Sequence, residues 1–179
     1  MMKFSRTWAM PNSDTFSIAP IKEFVARYLC HGSGIDPFAR NSELVAFRND
    51  LNPETKAESH MDAGEYLKSW HGKGQFFGLM LFDPPYSPRQ ISESYKQVGR
   101  EVGMAGTQNG ALYKRVRDAA MPVSTPNAIV LSFGWNSAGM GQKRGFGILE
   151  LMLVAHGSAH NDTICLAEKR VGKMTQPEL

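Results

Sequence analysis

The sequence is poor in cysteine and in long apolar runs, and both shortages exclude classes of protein. Its 179 residues include two cysteines, Cys30 and Cys165, too few for a disulfide scaffold or a four-cysteine zinc site. The longest apolar stretch of note, Phe76–Phe82, has seven residues, whereas a membrane-spanning helix needs about 20. The N-terminal residues also lack the apolar core of a signal peptide. We therefore expect a reduced, cytoplasmic protein without a membrane segment.

Residues that could bind a metal are scattered along the chain. His156, His160 and Asp162 form the densest group, but their spacing fits a tight hairpin turn better than a ligand set. His60 and His71 are isolated. We therefore expect no metal site.

Composition predicts one globular domain over residues 1–179. Hydrophobic residues make up 42% of the chain and charged residues 21%, which is enough apolar material for a core and argues against disorder. The net charge of +3 is unevenly distributed. Residues 1–87 carry nine Lys or Arg and ten acidic residues, whereas residues 88–179 carry eleven and seven. A basic half is typical of nucleic-acid binders.

Helix and strand patterns alternate along the chain. A helix is predicted from Pro20 to the glycines at 32 and 34, and further helices over Met61–Trp70, Pro88–Val98 and Ala111–Ala119. Short or buried strands are predicted at Ile35, Leu44–Phe47, Phe76–Phe82 and Asn127–Phe133, and an antiparallel pair over Ile148–Ala155 and Thr163–Glu168. This alternation predicts an α/β domain with a mostly parallel central sheet and a C-terminal antiparallel hairpin.

Three polar clusters each follow a predicted strand directly. They are Asp36-Pro37-Phe38, Asn49-Asp50 and Asp83-Pro84-Pro85-Tyr86. The carboxyl ends of parallel strands meet at one edge of a sheet, where ligands bind when the chain order reverses. We therefore expect these clusters to form one site.

Asp83-Pro84-Pro85-Tyr86 has the chemistry needed to activate an exocyclic amino group. Such an amine is a poor nucleophile because its lone pair is delocalised into the ring. The Asp83 carboxylate and the Pro84 carbonyl can accept its two hydrogens and free the lone pair, while Pro85 helps to stiffen the loop. The Tyr86 ring offers a surface on which a flipped base can stack.

This string, placed after a buried strand, resembles the catalytic DPPY motif of S-adenosylmethionine-dependent DNA methyltransferases of the adenine-N6 type. Gly34-Ile35-Asp36-Pro37-Phe38 is similar to the cofactor motif of that family, and Asp50 to the acidic residue that binds the ribose hydroxyls. Asp62 matches a position near the cofactor adenine, and Asn12–Ile18 resembles the segment that covers the methionine end of the cofactor. The resemblance implies cofactor contacts from Thr15, Phe16, Ile18, Asp36, Pro37, Phe38, Asp50 and Asp62.

The resemblance implies a Rossmann-like class I fold and methylation of the N6 amino group of adenine in DNA. Cytosine N4, RNA and a protein amide are alternative substrates, and a non-catalytic protein of the same fold is a further alternative. Arg40 departs from the family, because a glycine is common there. The interval between Phe38 and Leu44 is also too short for the usual crossover helix.

The chain has no room for a target-recognition domain. DNA, or RNA, would then be recognised by loops, by a homodimer or by a separate subunit. The candidate nucleic-acid contacts are basic residues near the glycine-rich stretches and the catalytic loop, namely Arg89, Lys114, Arg115, Arg117, Lys143 and Arg144.

Overall fold

Seven strands form one mixed sheet in the computed structural model, which describes residues 1–99, 109–157 and 160–172. The strands are β1 (Lys3–Trp8), β2 (Gly34–Asp36), β3 (Phe47–Arg48), β4 (Phe77–Phe82), β5 (Ser124–Gly134), β6 (Phe146–Ala155) and β7 (Thr163–Arg170). Their order across the sheet is β1-β6-β7-β5-β4-β2-β3.

Four α-helices within the described ranges pack on this sheet. They are α1 (Ala19–Ala26), α2 (Ala63–Lys68), α3 (Pro88–Gln97) and α4 (Asn109–Ala120), and short 3₁₀ turns span Thr15–Ser17, Met121–Val123 and Gln142–Arg144. Local sequence explains two helix starts. Asp62 caps α2 by accepting from two backbone N–H groups, and Ser87 forms a capping box with Gln90 ahead of α3. No helix in the described ranges has the length and apolar character to cross a membrane.

The strand directions confirm the predicted sheet. Strands β3, β2, β4 and β5 are parallel neighbours, and β7 runs antiparallel to both β5 and β6. The chain leaves β2 for β3 on one side and returns to β4 on the other. The order therefore reverses between β2 and β4, which is the point where α/β sheets bind their ligands.

Strand β4 is buried on both faces, as its continuous apolar run predicts. Met80 and Phe82 face a core formed with α2, α3 and α4. Leu79 and Leu81 face the opposite core, which α1 covers. Gly78 is required in this strand because a Cβ there would lie 2.1 Å from the His31 carbonyl oxygen.

Two elements differ from the sequence-based prediction. Strand β1 pairs in parallel with β6 at the sheet edge but was not predicted, since its exposed Phe4 and Trp8 give no buried face that alternation could reveal. The predicted strand Leu44–Phe47 shrinks to the two-residue β3. The connection from β2 to β3 contains no helix, which confirms the expectation drawn from its length.

Candidate active site

A cavity of about 470 Å³ opens at the carboxyl ends of β2, β3 and β4. It is the size of a typical small-molecule site. Its walls come from the N-terminal segment, the loops after these three strands, and helices α2 to α4. The lining residues include Ser13, Thr15, Pro37, Phe38, Arg40, Asp50, Leu51, Asn52, Thr55, Asp62, Asp83, Pro84, Pro85, Tyr86, Gln90, Ser94, Tyr95, Gln97 and Leu112.

The Asp83–Tyr86 loop is held in place from several sides. The Tyr86 hydroxyl donates to Asp83 Oδ1 and lies 3.4 Å from Thr15 Oγ1. The Tyr86 backbone N–H donates to Gln90 Oε1 over 2.7 Å, and Tyr113 donates to the Pro85 carbonyl over 2.9 Å. These contacts, together with two prolines, make the loop a preorganised wall of the cavity.

Burial raises the pKa of the half-buried Asp83 carboxyl above its usual value, although hydrogen bonds from Tyr86 and Thr15 and the charge of Arg40 oppose the rise. Burial also raises the Tyr86 pKa, with a further contribution from the Asp83 charge. Tyr86 therefore stays protonated at neutral pH and acts as a donor to Asp83.

Asp36 ends β2 and is completely buried. Its Oδ1 accepts from the Phe38 backbone N–H over 2.9 Å, whereas Oδ2 has no hydrogen-bond partner among the described residues. Burial raises the Asp36 pKa well above its usual value, and the Asp83 and Asp50 charges add to the rise. Asp36 lies at the predicted strand end, but Pro37 and Phe38, rather than Asp36 itself, line the cavity.

Asp50 organises the loop after β2. Its Oδ2 accepts from the Arg40 backbone N–H over 3.0 Å, and its Oδ1 accepts from the Asn52 N–H over 2.9 Å. The Arg40 guanidinium donates to the Ser13 carbonyl over 2.5 Å. Arg40 has a left-handed φ of 50°, a conformation that usually favours glycine. The predicted Asp50 and the family-atypical Arg40 therefore share one wall.

Asn49 belongs to a polar cluster that the sequence placed at the site, and its role there is structural. It is completely buried. Its Nδ2 donates to the carbonyls of Pro37 and Met61 over 3.1 and 3.0 Å, and its Oδ1 accepts from the Met61 N–H over 2.9 Å. One side chain thus ties together the segments after β2, after β3 and before α2.

Asp62 lines the cavity as predicted, but its carboxylate already has partners. Oδ1 accepts from the Gly64 and Glu65 N–H groups at the start of α2. Oδ2 accepts from the Tyr95 hydroxyl and, over 2.7 Å, from Arg115. A contact between Asp62 and a ligand would therefore compete with this network.

The N-terminal segment contributes unevenly to the site. Thr15 lines the cavity, and Phe16 lines a smaller neighbouring pocket with Arg40 and Asp83 while its ring packs edge-on against Phe133 at 5.2 Å. Ile18 is buried in the core beneath α1 and is not a lining residue. Of these three predicted cofactor contacts, the structure brings Thr15 and Phe16 to the site.

Most of the predicted nucleic-acid contacts are engaged within the protein. Arg89 pairs with Glu93 over 2.7 Å, and Asp118 bridges Lys114 and Arg144 over 2.9 and 2.7 Å. Arg115 is the partner of Asp62, and Lys143 is exposed. The Arg117 guanidinium lies 5.3 Å from the ring centres of Phe82 and Tyr113 and donates to the Ala138 carbonyl, so it is directed into the protein.

The loop that carries Lys143 and Arg144 is anchored rather than mobile. Glu168 is buried and accepts from the backbone N–H groups of Met140 and Gly141 over 2.5 and 2.9 Å. Arg144 also donates to the Met140 carbonyl over 3.0 Å. A carboxylate from β7 therefore holds the backbone of this glycine-rich loop in place.

His156 directly follows β6 and has a structural role there. Its Nδ1 lies 2.8 Å from the Ala9 carbonyl oxygen and its Nε2 lies 2.9 Å from Thr163 Oγ1. Asp162 accepts from the His156 backbone N–H over 3.2 Å. Within the described ranges, no three His, Cys, Asp or Glu residues are grouped to hold a metal ion.

Helix α3 supplies a wall of the cavity that sequence analysis did not assign. Gln90, Ser94, Tyr95 and Gln97 all line the cavity. The pattern Pro88–Val98 predicted the helix, but the face it turns to the site depends on how the helix packs through Ile91. Polar residues that face a cavity and polar residues that face solvent have the same sequence pattern.

The fold is similar to solved methyltransferase structures. HI0767 from Haemophilus influenzae, described as a methylase, has a TM-score of 0.51 at 11% identity, over 91% of this chain and 92% of that one. TrmN from Thermus thermophilus has a TM-score of 0.54 at 12% identity, over 86% and 49%. SMU.776, described as a methyltransferase complexed with SAH, has a TM-score of 0.55 at 11% identity, over 83% and 49%.

Because the sequence identities are low, this likeness shows the fold alone. The chain spans most of HI0767 but about half the length of the other two proteins. No protein-family model matches the sequence, and no curated protein sequence matches it. The mixed α/β sheet, mostly parallel with an antiparallel strand pair, is the Rossmann-like architecture of these methyltransferases, as the sequence predicted.

Proposed function

We propose that the protein is an S-adenosylmethionine-dependent methyltransferase that acts on an exocyclic amino group, namely N6 of adenine in DNA. One observation carries the proposal. The Asp83–Tyr86 loop lies at the point where the strand order reverses, in the same cavity as Asp50 and the Pro37–Phe38 turn. The amine-binding residues and the expected cofactor residues therefore share one space.

The residues of the cavity fit S-adenosylmethionine. Phe38, Leu51 and Leu112 supply apolar surface for the adenine, and Asp50 supplies carboxylate oxygens that can accept from ribose hydroxyls. Asp50 and Asp83 place two carboxyl groups in the cavity wall, which suits the sulfonium and the ammonium of S-adenosylmethionine.

Asp83 and Pro84 would bind the target amine. The carboxylate accepts one N–H and the Pro84 carbonyl accepts the other, which pulls the nitrogen towards tetrahedral geometry. S-adenosylmethionine supplies the methyl group: the nitrogen lone pair forms the N–C bond while the C–S pair returns to sulfur, which leaves the neutral thioether. Asp83 then accepts the proton that the nitrogen loses, and its raised pKa suits that role.

Tyr86 would stack the flipped base. Its ring lines the cavity and lies 5.7 Å, centroid to centroid, from the Trp135 ring, which is partly exposed. A planar base can stack on aromatic rings of this kind regardless of its sequence context. The Tyr86 hydroxyl occupies Asp83 Oδ1, so amine binding would replace or share that hydrogen bond.

Binding of the nucleic-acid backbone would use the exposed basic residues on the side of the sheet that carries α3 and α4. Arg89, Lys114 and Lys143 are exposed, and the pairs with Glu93 and Asp118 are surface pairs that exchange easily for phosphate. Target selection would rest on loops, on a second copy of the chain or on a separate subunit.

The test is transfer of a labelled methyl group from S-adenosylmethionine to unmethylated duplex DNA, single-stranded DNA and RNA, followed by base analysis. We expect label in adenine of DNA. Asp83→Ala should lower the rate at least about 100-fold, because it removes an acceptor of the reacting amine.

Asp162→Ala is the matched control, since Asp162 does not line the cavity and accepts from the His156 N–H, and its rate should stay unchanged. Label in cytosine or in RNA would show that the substrate differs from the proposed one while the reaction is still methyl transfer. Equal rates for Asp83→Ala and the unmodified protein, or no label in any substrate, would contradict the proposed catalysis.

A further inference from the structure

Arg40 is the residue that sets this site apart from the family it resembles. It is exposed at the cavity wall, with its backbone in the left-handed region at φ 50°. Glycine adopts that conformation without strain, whereas a long side chain there is uncommon and points to a role for the side chain.

The guanidinium position is fixed by the protein. Nη1 donates to the Ser13 carbonyl over 2.5 Å, and the Arg40 backbone N–H is held by Asp50 over 3.0 Å. The contact with Ser13 is its one side-chain hydrogen bond among the described residues. A guanidinium has five N–H donors in a planar fork that matches a carboxylate, so further donors remain for a ligand.

The charged residues around the cavity suit a ligand that carries both positive and negative groups. Among the described lining residues Arg40 is the one cation, and three aspartates, Asp50, Asp62 and Asp83, line the same cavity. The aspartates suit positive groups, and an anionic group has Arg40 as its cationic partner in this wall.

On the basis of the proposed function, we propose that Arg40 binds the α-carboxylate of the methionine moiety of S-adenosylmethionine and, through Ser13, holds the N-terminal segment over that end of the cofactor. In this arrangement, the side chain at a position where the family commonly has glycine recognises the methionine moiety. The carboxylate would accept two N–H groups of the fork while Nη1 keeps its contact with Ser13.

The test compares two ligands by calorimetry, without turnover. S-adenosylhomocysteine carries the α-carboxylate, and its decarboxylated analogue lacks that group alone. We expect the unmodified protein to bind S-adenosylhomocysteine about 10- to 100-fold more tightly, the range for a charge-assisted pair. In Arg40→Met, that preference should disappear through weaker binding of S-adenosylhomocysteine, with little change for the analogue.

Two further variants separate the side chain from the backbone. Arg40→Gly removes the guanidinium and suits the left-handed φ, so it should fold and also lose the preference. Arg6→Met makes the same change at an exposed position on β1, outside the cavity, and should keep the preference.

The outcomes distinguish this inference from the proposed function. If the unmodified protein binds S-adenosylhomocysteine but Arg40→Met keeps the preference, or weakens both ligands equally, Arg40 is a clamp for Ser13 and the inference is wrong. If the unmodified protein binds neither ligand, the proposed cofactor is wrong, and the inference fails with it.

Discussion

Asp36 shows how one buried carboxyl group can oppose the stability of the fold. It is completely buried, and its Oδ2 accepts no hydrogen bond among the described residues. Burial and the nearby Asp50 and Asp83 charges raise its pKa well above the usual value. The folded chain therefore keeps this proton at pH values where the unfolded chain has lost it, and stability falls as the pH rises through that interval.

We expect Asp36→Asn to raise the free energy of unfolding at pH 7 by about 1–3 kcal/mol, because the neutral amide avoids the cost of burying a carboxyl group that is ionised in the unfolded chain. The Asn Oδ1 can still accept from Phe38. The gain should vanish below about pH 4, where the Asp36 carboxyl is protonated in both states. Urea denaturation over a pH series measures this gain.

Asp118→Asn provides the opposite control. Hydrogen bonds from Lys114 and Arg144 lower the Asp118 pKa, so its ionised form stabilises the fold, and that contribution is lost as the pH falls through the lowered pKa. The variant should therefore be slightly less stable at pH 7. A destabilised Asp36→Asn protein at pH 7 would contradict the explanation given for Asp36.

At the scale of elements, the site depends on short strands joined by side chains. Strands β2 and β3 have three and two residues, too few for the backbone alone to hold the loops that follow them. Asn49 compensates with three hydrogen bonds to Pro37 and Met61. The stability of the cavity wall therefore depends on the hydrogen bonds of this buried amide.

Asn49→Ala should lower the free energy of unfolding by about 2–4 kcal/mol, since it leaves buried carbonyl and N–H groups without partners. Asn41→Ala is the matched control, because Asn41 accepts one exposed hydrogen bond, from the Lys56 N–H over 3.0 Å, and should cost less than about 1 kcal/mol. Chemical denaturation measures both. Similar small losses would show that Asn49 does not hold the loops together.

At the scale of the whole molecule, the candidate phosphate-binding residues of α3 and α4 lie on one side of the sheet. Helices α3 and α4 carry Arg89 and Lys114 on the side of one core, whereas α1 covers the other. The carboxyl ends of β2 and β4 open towards the cavity between these layers. A nucleic acid that presents a base to Asp83 would therefore meet the α3 and α4 side.

Replacing Arg89, Lys114 or Lys143 with Gln should weaken duplex DNA binding, and each should reduce the slope of log K against log salt by about one, because each phosphate contact releases counterions. Fluorescence anisotropy at several salt concentrations measures the slope. Lys22→Gln, an exposed change on α1, should leave it unchanged. Equal slopes for all four variants would place the nucleic-acid surface elsewhere.

The sequence alone determined the architecture and predicted which side chains meet at the carboxyl edge of the sheet. Continuous apolar runs identified β4 and β5, and the polar residues directly after strands identified Asp50 and Asp83, because chain direction in a parallel sheet fixes where strand ends meet. The predicted residues Thr15, Pro37, Phe38, Asp50, Asp62 and Asp83 to Tyr86 all line one cavity.

Only the tertiary structure decided how those residues interact. It showed β1 as an edge strand, Asn49 as the residue that ties three loops, and Arg40 as a cation held at the wall by Ser13. In the folded chain Arg117 is directed inward, and Arg115 forms a salt bridge with Asp62. These outcomes depend on distances between residues far apart in the chain, which local pattern and spacing do not contain.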